Sequence, residues 1–440
     1  MRIKSALAAA AIVAMAAACG SGGGGSAAEP AKSGGAGEPV KLNFLSLAWQ
    51  KESVAANKEI VDAWNKANPN IQVTYVQGSW DNVNDQLVTS FEGGDAPDVI
   101  HDDSPALSGF ASRGYLLDLK DKLPAELKSD IPQSAWDTVT FDDGKGNQGV
   151  YGVPFLQESQ VIIANKKLLD AAKVRVPTAD APWTWDEFAE VSKKLTKGEA
   201  FGVAWPMKSP VNKTLNLALN FNGTFFQTGA DGKTTVKVGP EEKQVLQRIH
   251  DQLHKDKSAD PSALGMGTAD PLPGFFAGKY AMLPVGVYLR QQVVEQAPDG
   301  FEWVTLPPLK GETANQGAVS QTLSVSADSK HPDEAVKFMA FFLNGPNQAK
   351  LAKGDWLLPT SQQAAADPSM TTKENGWDIA TASAKNLVVA PFLKVNGFDE
   401  WKSKVATPTL QQYFANKISL DDAAKQLVEE GNKVLERYSQ

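Results

Sequence analysis

Tryptophans and polar residues occur together in several segments of this chain that are predicted to form loops. Of its 11 tryptophans, four have polar neighbours of this kind: Trp49, Trp80, Trp205 and Trp356. An indole face matches the apolar C–H face of a pyranose ring, and carboxylates and amides accept hydrogen bonds from the ring hydroxyls. Since a buried hydroxyl without a partner costs about 1–3 kcal/mol, such a site needs both residue types. The segments predict ring stacking and hydroxyl binding, and burial in a core is the alternative for each tryptophan.

A strand–helix–strand–helix–strand pattern must position the first of these residues. Apolar residues predict strands at 41–47, 71–76 and 97–100, and apolar spacing predicts the two intervening helices. This order is typical of βαβ units with a parallel sheet, in which ligands bind at the carboxyl ends of the strands. The loops that follow the strands carry tryptophans or carboxylates, so we expect a binding site at this edge.

Asp102 and Asp103 directly follow the third predicted strand. Their position puts them at the edge of the sheet where ligands bind in such folds. The alternatives are a solvated pair, or an N-cap supplied by Asp103 or Ser104 to a helix that begins near Pro105.

Six collinear segments resemble those of the bacterial extracellular solute-binding proteins of the maltose-binding class. They are FEGGDAPDVIHDDSPALSGFASRGYLLDL (91–119), GVYGVPFLQESQVIIANKKLL (149–169), WTWDEFAEVSKKL (183–195), FFAGKYAMLPVGVYL (275–289), WVTLPPLKGE (303–312) and HPDEAVKFMAFFL (331–343). The resemblance covers essentially the whole chain after the N-terminal region. It implies an α/β, two-lobed periplasmic-binding-protein-like fold, in which each lobe is a sheet flanked by helices and a hinge joins the lobes.

The resemblance also implies where the chain passes between the lobes. The expected N-terminal lobe is 40–155 plus 310–353, and the expected C-terminal lobe is 156–309 plus 354–440. The last part of the chain is expected to form a helical cap, because Ala424, Leu427, Val428, Val434 and Leu435 share one helical face.

Further candidate ligand contacts follow from the resemblance. In the family, the loop equivalent to 102–103 contacts the ligand, so the resemblance implies that at least one of these two aspartates accepts hydrogen bonds from a ligand hydroxyl. Gln157 and Glu158 fall on the strand that crosses between the lobes, where Glu158 is alternatively a structural hinge partner. The remaining candidates lie in the second lobe: Asn222, Phe226, Tyr288 and Arg290. Tyr288 occupies a position that family members often fill with tryptophan, and Arg290 is alternatively a surface helix residue.

The N-terminal residues predict export and lipid attachment. Arg2 and Lys4 precede a small apolar run that ends at Ala18, a pattern typical of a signal peptide over 1–18. The sequence AAAC around Cys19 resembles the lipobox of bacterial lipoproteins, and 19–39 is rich in Gly, Ala and Ser, as a flexible tether would be. The alternative is an ordinary signal peptide followed by a cysteine that carries no lipid.

Composition excludes several other classes of protein. Cys19 is the single cysteine, so the chain has no intramolecular disulfide and no cysteine-based zinc site. The formal charge of −8 would become −10 after removal of Arg2 and Lys4, and the interspersed charges argue against nucleic-acid binding. We expect no cofactor and no metal.

Two enzyme classes are alternatives to a binding protein. His250 and His254 have the i, i+4 spacing of zinc ligands, but Asp251 stands where a metalloprotease has glutamate. Asp102, Asp103 and Glu158 could supply the acid and base of a secreted glycoside hydrolase.

The sequence as a whole predicts a non-enzymatic, lipid-anchored substrate-binding protein of an ABC importer. We expect it to act as a monomer at the outer face of the cytoplasmic membrane, to capture a di- or oligosaccharide by hinge closure and to deliver it to permease subunits. An alternative ligand is a phosphorylated polyol such as glycerol 3-phosphate, which would need cationic contacts or a helix N-terminus.

Overall fold

The computed structural model describes residues 38–142, 147–230 and 232–438. Its compact body extends from Pro39. The predicted signal peptide, Cys19 and nearly all of the tether lie outside the described residues. No helix in the described part of the chain is both long and apolar enough to cross a bilayer.

The strands are mostly short and are distributed along the whole body. They are β1 Val40–Ser46, β2 Ile71–Gln77, β3 Val99–Asp103, β4 Thr140–Asp142, β5 Gln148–Val150, β6 Val153–Gln157, β7 Gln160–Asn165, β8 Phe201–Val203, β9 Phe226–Thr228, β10 Thr234–Val236, β11 Tyr280–Gly286, β12 Trp303–Leu306, β13 Gln316–Gly317, β14 Ser320–Val325, β15 Leu358–Pro359 and β16 Leu387–Val388.

The helices lie between these strands and after them. They are α1 Lys51–Ala67, α2 Val83–Gly93, α3 Ser104–Ser112, α4 Ala125–Asp130, α5 Gln133–Trp136, α6 Lys166–Ala172, α7 Trp185–Leu195, α8 Pro210–Ala218, α9 Pro240–His250, α10 Leu272–Phe276, α11 Leu289–Gln296, α12 Pro332–Phe342, α13 Gly345–Asp355, α14 Gln362–Ala365, α15 Trp377–Ser383, α16 Phe398–Glu400, α17 Thr407–Phe414 and α18 Leu420–Glu436. Single-turn 3₁₀ and π-helical segments extend or join several of them.

The first part of the body is the predicted βαβαβ unit. Strand β1 pairs in parallel with β2 along its whole length and with β3 on its other side. Helix α1 buries Ile60, Val61 and Trp64 on the face that the apolar spacing predicted. Helix α2 ends at Gly94, whose φ of 73° is the left-handed conformation that glycine adopts at little cost. The predicted elements and their parallel pairing are confirmed, except that β3 extends to Asp103, so Asp102 and Asp103 end the strand instead of following it.

Two larger sheets organise the body. The first has the order β15-β6-β14-β3-β1-β2, and the second has the order β12-β7-β11-β8. Each sheet mixes parallel and antiparallel pairs, because β14 runs antiparallel to both β3 and β6, and β11 runs antiparallel to β7. We call each sheet with its packed helices a lobe, the first lobe being the one that contains β1.

Each lobe has its own hydrophobic core. In the first lobe the fully buried ring of Phe44 packs edge to face against Phe338 and Phe342, at centroid distances of 5.6 and 5.0 Å. In the second lobe Trp401 is fully buried and packs on Phe226 at 4.9 Å. The predicted C-terminal helix is α18, which buries Leu427, Val434 and Leu435 among other residues in the second core.

The chain passes from the first sheet to the second between β6 and β7, at Glu158 and Ser159. It returns between β12 and β14. Strand β15 then pairs with β6, and Trp377 still packs in the first core, whereas Phe392 lies in the second. This stretch follows residue 353, where we expected the first lobe to end. The sequence did not reveal it, because a two-residue strand leaves too little pattern to detect. The remaining boundaries stay a prediction.

Replacing Phe44 by alanine is expected to lower the free energy of unfolding by about 3–5 kcal/mol, because it removes a ring that fills the first core. Lys41→Ala, on an exposed position of the same strand, is the matched control and should change stability little. Urea unfolding of both variants measures the difference. Equal stability of the two would contradict the packing described for β1.

Candidate functional site

A cavity of about 520 Å³ lies between the two lobes. The carboxyl ends of β1 and β2, the end of β3 and the end of α13 form its first-lobe side, and the residues around α11 form its second-lobe side. The residues that line it include Trp49, Gln50, Trp80, Asp81, Asp103, Glu158, Thr268, Tyr288, Gln292, Gln321 and Asp355. A ligand of a few rings fits a volume of this size.

Aromatic side chains stand on both sides of the cavity. Trp49 lies just after β1, is 49% exposed and approaches Tyr288 of the second lobe edge to face, with centroids 6.4 Å apart. Trp80 follows β2 and packs edge to face on His101 at 5.5 Å. The cavity therefore offers ring faces from both lobes to a flat ligand.

His101 holds this edge of the sheet in place, a role that the sequence analysis missed. The backbone N–H of Leu47 donates to Nδ1 of His101 at 3.0 Å, and its Nε2 lies 3.0 Å from Oε1 of Gln321. Because Nδ1 accepts, Nε2 carries the proton and donates to Gln321. Burial lowers the pKa of His101 to about 3, so the ring is neutral and the tautomer is fixed.

The two adjacent aspartates have different positions. Asp103 lines the cavity and also caps α3, since its Oδ1 accepts a hydrogen bond from the N–H of Ala106 at 3.3 Å. Asp102 is buried and does not line the cavity; its Oδ1 accepts from the N–H of Asp103, and its Oδ2 has no partner among the described residues. Asp103 therefore caps α3, as one of the alternatives expected, and it also lines the cavity.

Burial raises the pKa of Asp103 to about 6, an effect that Lys402 opposes and Asp399 reinforces. Burial and the charge of Asp103 also raise the pKa of Asp102 well above its usual value. Lys402 itself lies 3.0 Å from Asp399, in the C-terminal part of the chain. The protonation of the two aspartates thus depends on charged groups of the second lobe, namely Lys402 and Asp399.

Glu158 lines the cavity where the chain crosses between the lobes. Its Oε1 accepts a hydrogen bond from Nε2 of Gln160 at 2.6 Å, and burial raises its pKa to about 7 although Lys213 is close. Burial lowers the pKa of Lys213 to about 7, and its Nζ donates to the carbonyl of Pro284 at 3.0 Å. Gly286 stands against Glu158 and Tyr288, and a Cβ there would overlap both side chains.

Gln50 and Asp355 complete the first-lobe side of the cavity and were not predicted. Asp355 ends α13, is 3% exposed and has a pKa raised to about 7 by burial. Nε2 of Gln50 donates to the backbone carbonyl of Asp355 at 3.1 Å, whereas Oε1 of Gln50 has no partner among the described residues. No local sequence pattern could pair these two, because 305 positions separate them.

The comparisons with known proteins agree with this architecture. Residues 48–349 match the model of the family described as bacterial extracellular solute-binding protein. The chain belongs to this family. A relative from Streptomyces antibioticus, named as an uncharacterized lipoprotein in the oleD 5' region, is 53% identical over 87% of this chain and 84% of its own length.

More distant members of the solute-binding family include proteins whose names give a ligand. The multiple sugar-binding protein of Streptococcus mutans is 27% identical over 66% of this chain and 69% of its own length. Among solved structures, an ABC substrate-binding protein from Listeria monocytogenes in complex with cycloalternan superposes with a TM-score of 0.76 at 24% identity, over 91% of this chain and 100% of that one. The two-lobed fold expected from the sequence is confirmed.

Several candidates lie outside the cavity of this solute-binding protein. Trp205 is fully buried in the second core, stacked 6.1 Å from Trp185, and its Nε1 donates to Gln252. Phe226 is also buried in that core. Asn222 donates to Glu312 at 2.9 Å instead of facing the cavity. The structure therefore does not bring these three second-lobe residues to the cavity. Trp205 takes the core-packing role that is the alternative for each tryptophan.

Gln157, Arg290 and Trp356 lie near the cavity without lining it. Gln157 ends β6 and donates to Oγ of Ser320 at 3.2 Å. Arg290 is fully buried, which excludes the surface alternative, and its guanidinium lies 5.4 Å from the ring of Trp356 and 4.5 Å from that of Trp377. Arg290 and Trp356 thus connect the lobes beside the cavity.

The histidine pair has partners of its own. His250 and His254 have ring centroids 4.5 Å apart, His250 stacks on Tyr413, and Nε2 of His254 lies 2.7 Å from the carbonyl oxygen of Phe414. In the described part of the chain no group of three His, Cys, Asp or Glu side chains is arranged to hold a metal ion.

Asp355→Asn is expected to stabilise the ligand-free protein increasingly as the pH rises from about 4 to about 7. Because burial raises the pKa of Asp355 from 3.8 to about 7, the folded wild type keeps a proton that the unfolded chain has released, and its stability falls over this window. Asparagine does not titrate, so the variant should gain about 1 kcal/mol or more relative to wild type by pH 7.

Urea unfolding at several pH values measures this difference. Asp62→Asn, an exposed position on α1, is the matched control and should follow the wild type at every pH. A constant difference between Asp355→Asn and wild type from pH 4 to 8 would contradict the burial of this carboxyl.

Proposed function

We propose that this solute-binding protein captures a carbohydrate, of di- or oligosaccharide size, outside the cytoplasm and delivers it to the permease of an ABC importer. The observation that carries the proposal is the cavity itself, with Trp49 and Trp80 on one lobe, Tyr288 on the other, and carboxylates between them. Ring faces stack on sugar C–H faces, and carboxylates accept from hydroxyls. The name of the streptococcal multiple sugar-binding protein supports the same ligand class.

Ligand capture is proposed to proceed by rotation of one lobe toward the other. A ligand that first stacks on Trp49 and Trp80 would meet Tyr288 as the lobes approach, because the three rings line the same cavity from different lobes. Closure then buries the ligand against both lobes and signals occupancy to the permease, since the ligand favours the closed form by its extra contacts. The protein acts as a monomer in this scheme.

The protein is proposed to be held at the outer face of the membrane by lipid on Cys19. The tether of about 20 residues would keep the binding body close to the permease and raise its effective concentration there. The name of the relative from Streptomyces antibioticus, which contains the word lipoprotein, supports this proposal.

A phosphorylated polyol fits the cavity less well. Among the described residues that line it there is no lysine, arginine or histidine. Arg290, the cation that kept this alternative open, is buried between tryptophan rings and donates to backbone carbonyls. A phosphate would therefore meet carboxylates without a compensating cation.

A glycoside hydrolase is the second candidate, favoured by one observation. Asp103 and Glu158 line the same cavity, and burial raises the pKa of each, as a general acid requires. Recovery of a bound sugar intact after prolonged incubation would contradict hydrolysis, and release of shorter sugars would contradict the transport proposal.

Trp49→Ala and Trp80→Ala are each expected to weaken saccharide binding at least tenfold, because each variant removes one stacking face. Isothermal titration with di- and oligosaccharides measures the affinity, and circular dichroism checks the fold. Tyr438→Ala, which removes a partly exposed aromatic ring outside the cavity, is the control and should bind like the wild type. Unchanged affinity in both tryptophan variants would place the sugar elsewhere.

Cys19→Ala is expected to release the exported protein from the membrane fraction, because no thiol remains to carry lipid. Cell fractionation and mass spectrometry of the N-terminus measure this, with Ser21→Ala as the control that keeps its anchor. Retention of Cys19→Ala in the membrane fraction would contradict lipid attachment at this residue.

A further inference from the structure

We propose that the saccharide bound in this cavity carries a protonated amine. This inference rests on the proposed function and names the class of sugar. It is drawn from the charges that face the cavity, from the balance of hydrogen-bond donors and acceptors, and from the position of the aromatic rings.

The cavity is lined by an excess of negative charge. Asp81, Asp103, Glu158 and Asp355 all line it, and no basic residue does so within the described ranges. None of these four carboxylates makes a salt bridge to another described residue. A ligand that brings a positive charge would supply a counter-charge and favour the ionised form of these groups, whereas a neutral sugar would leave the buried ones partly protonated.

The nearest lysines are engaged with other groups. Lys402 lies 3.0 Å from Asp399 and influences Asp103 only through space. Nζ of Lys213 donates to the carbonyl of Pro284 and likewise makes no salt bridge to Glu158 among the described residues. No such cation influences Asp355, whose pKa is raised chiefly by burial.

Hydrogen bonding points to a donor-rich ligand. Oε1 of Gln50 is buried without a partner in the described part of the structure, while Nε2 of the same side chain is already bonded to the carbonyl of Asp355. Gln50 and Asp355 both line the cavity, so this unpaired acceptor and the carboxyl group of Asp355 belong to the same part of its wall. An ammonium group has three donors and no acceptor. It can therefore donate to both of these oxygens, and it has no acceptor of its own that would need a donor.

The aromatic rings suit the same ligand. A cation within about 6 Å of an aromatic ring face is attracted to it, most strongly by tryptophan. Trp49, Trp80 and Tyr288 line the same cavity as the carboxylates, so an amino sugar that stacks its ring there would carry its ammonium group into the same space.

A metal ion is a poorer occupant of this cavity. The carboxylates are spread around its wall, and in the described residues they do not form a group of three that could coordinate one ion. Separate carboxylates suit an organic cation, whose charge and hydroxyls are also separated by several bonds.

Matched pairs of sugars that differ only in N-acetylation test the inference. Acetylation removes the positive charge and keeps the ring and linkage. The probes are glucosamine trimers against N-acetylglucosamine trimers, and kanamycin A against its fully N-acetylated form, with maltotriose as a neutral reference. Titration calorimetry with the mature protein at neutral pH should show at least tenfold tighter binding of the amine in at least one pair, and this preference should weaken as salt is added.

Variants of the cavity carboxylates identify the source of the preference. Asp355→Asn, and independently the more exposed Asp81→Asn, should each reduce the preference for the amine at least threefold, while Asp62→Asn on α1 should leave it unchanged. Asparagine retains an acceptor, so a loss confined to the amine reports the charge. An undiminished preference in both cavity variants would overturn the inference.

The outcomes also separate this inference from the proposed function. If a neutral sugar binds as tightly as its amine or more tightly, the inference is overturned and saccharide transport stands. If no sugar of either kind binds at millimolar concentration, both are contradicted.

Discussion

The parallel alignment of β1, β2 and β3 is the constraint on which the rest of the site depends. Parallel strands end at the same edge of their sheet, so the residues that follow β1 and β2 meet the end of β3 whatever their separation in sequence. His101 fixes this edge further by joining the backbone after β1 to β14. Trp49, Trp80 and Asp103 owe their common location to that geometry.

Burial of carboxyl groups between the lobes sets the electrostatic character of the cavity. Asp103, Glu158 and Asp355 come from three different parts of the chain, and the pKa of each is raised mainly by loss of water. Such groups destabilise an empty, closed cavity when they ionise. In the proposed function, a ligand that supplies donors would offset this cost, so the same residues would both select the ligand and make closure dependent on it.

The sequence predicted the part of the site that is local. Strand and helix periodicity placed Asp103 and the two tryptophans at the correct edge, and Asp103 serves both the cavity and α3. The sequence pattern could not reveal Asp355 or Gln50, because their pairing depends on the long return of the chain through β14 and α13. Polar neighbours in sequence also failed to show that Trp205 is enclosed by Trp185 and Phe188, because enclosure is a property of tertiary packing.

Arg290 shows how the lobes are joined without a charged partner. Its guanidinium is held by the carbonyls of Val287, Asn375 and Trp356 and by two indole faces, and it makes no salt bridge within the described residues. Contacts with ring faces and single carbonyls tolerate changes in angle better than a bidentate carboxylate fork does. These contacts are of a kind that would allow the lobe rotation proposed above to occur while Arg290 keeps the second lobe attached to the first.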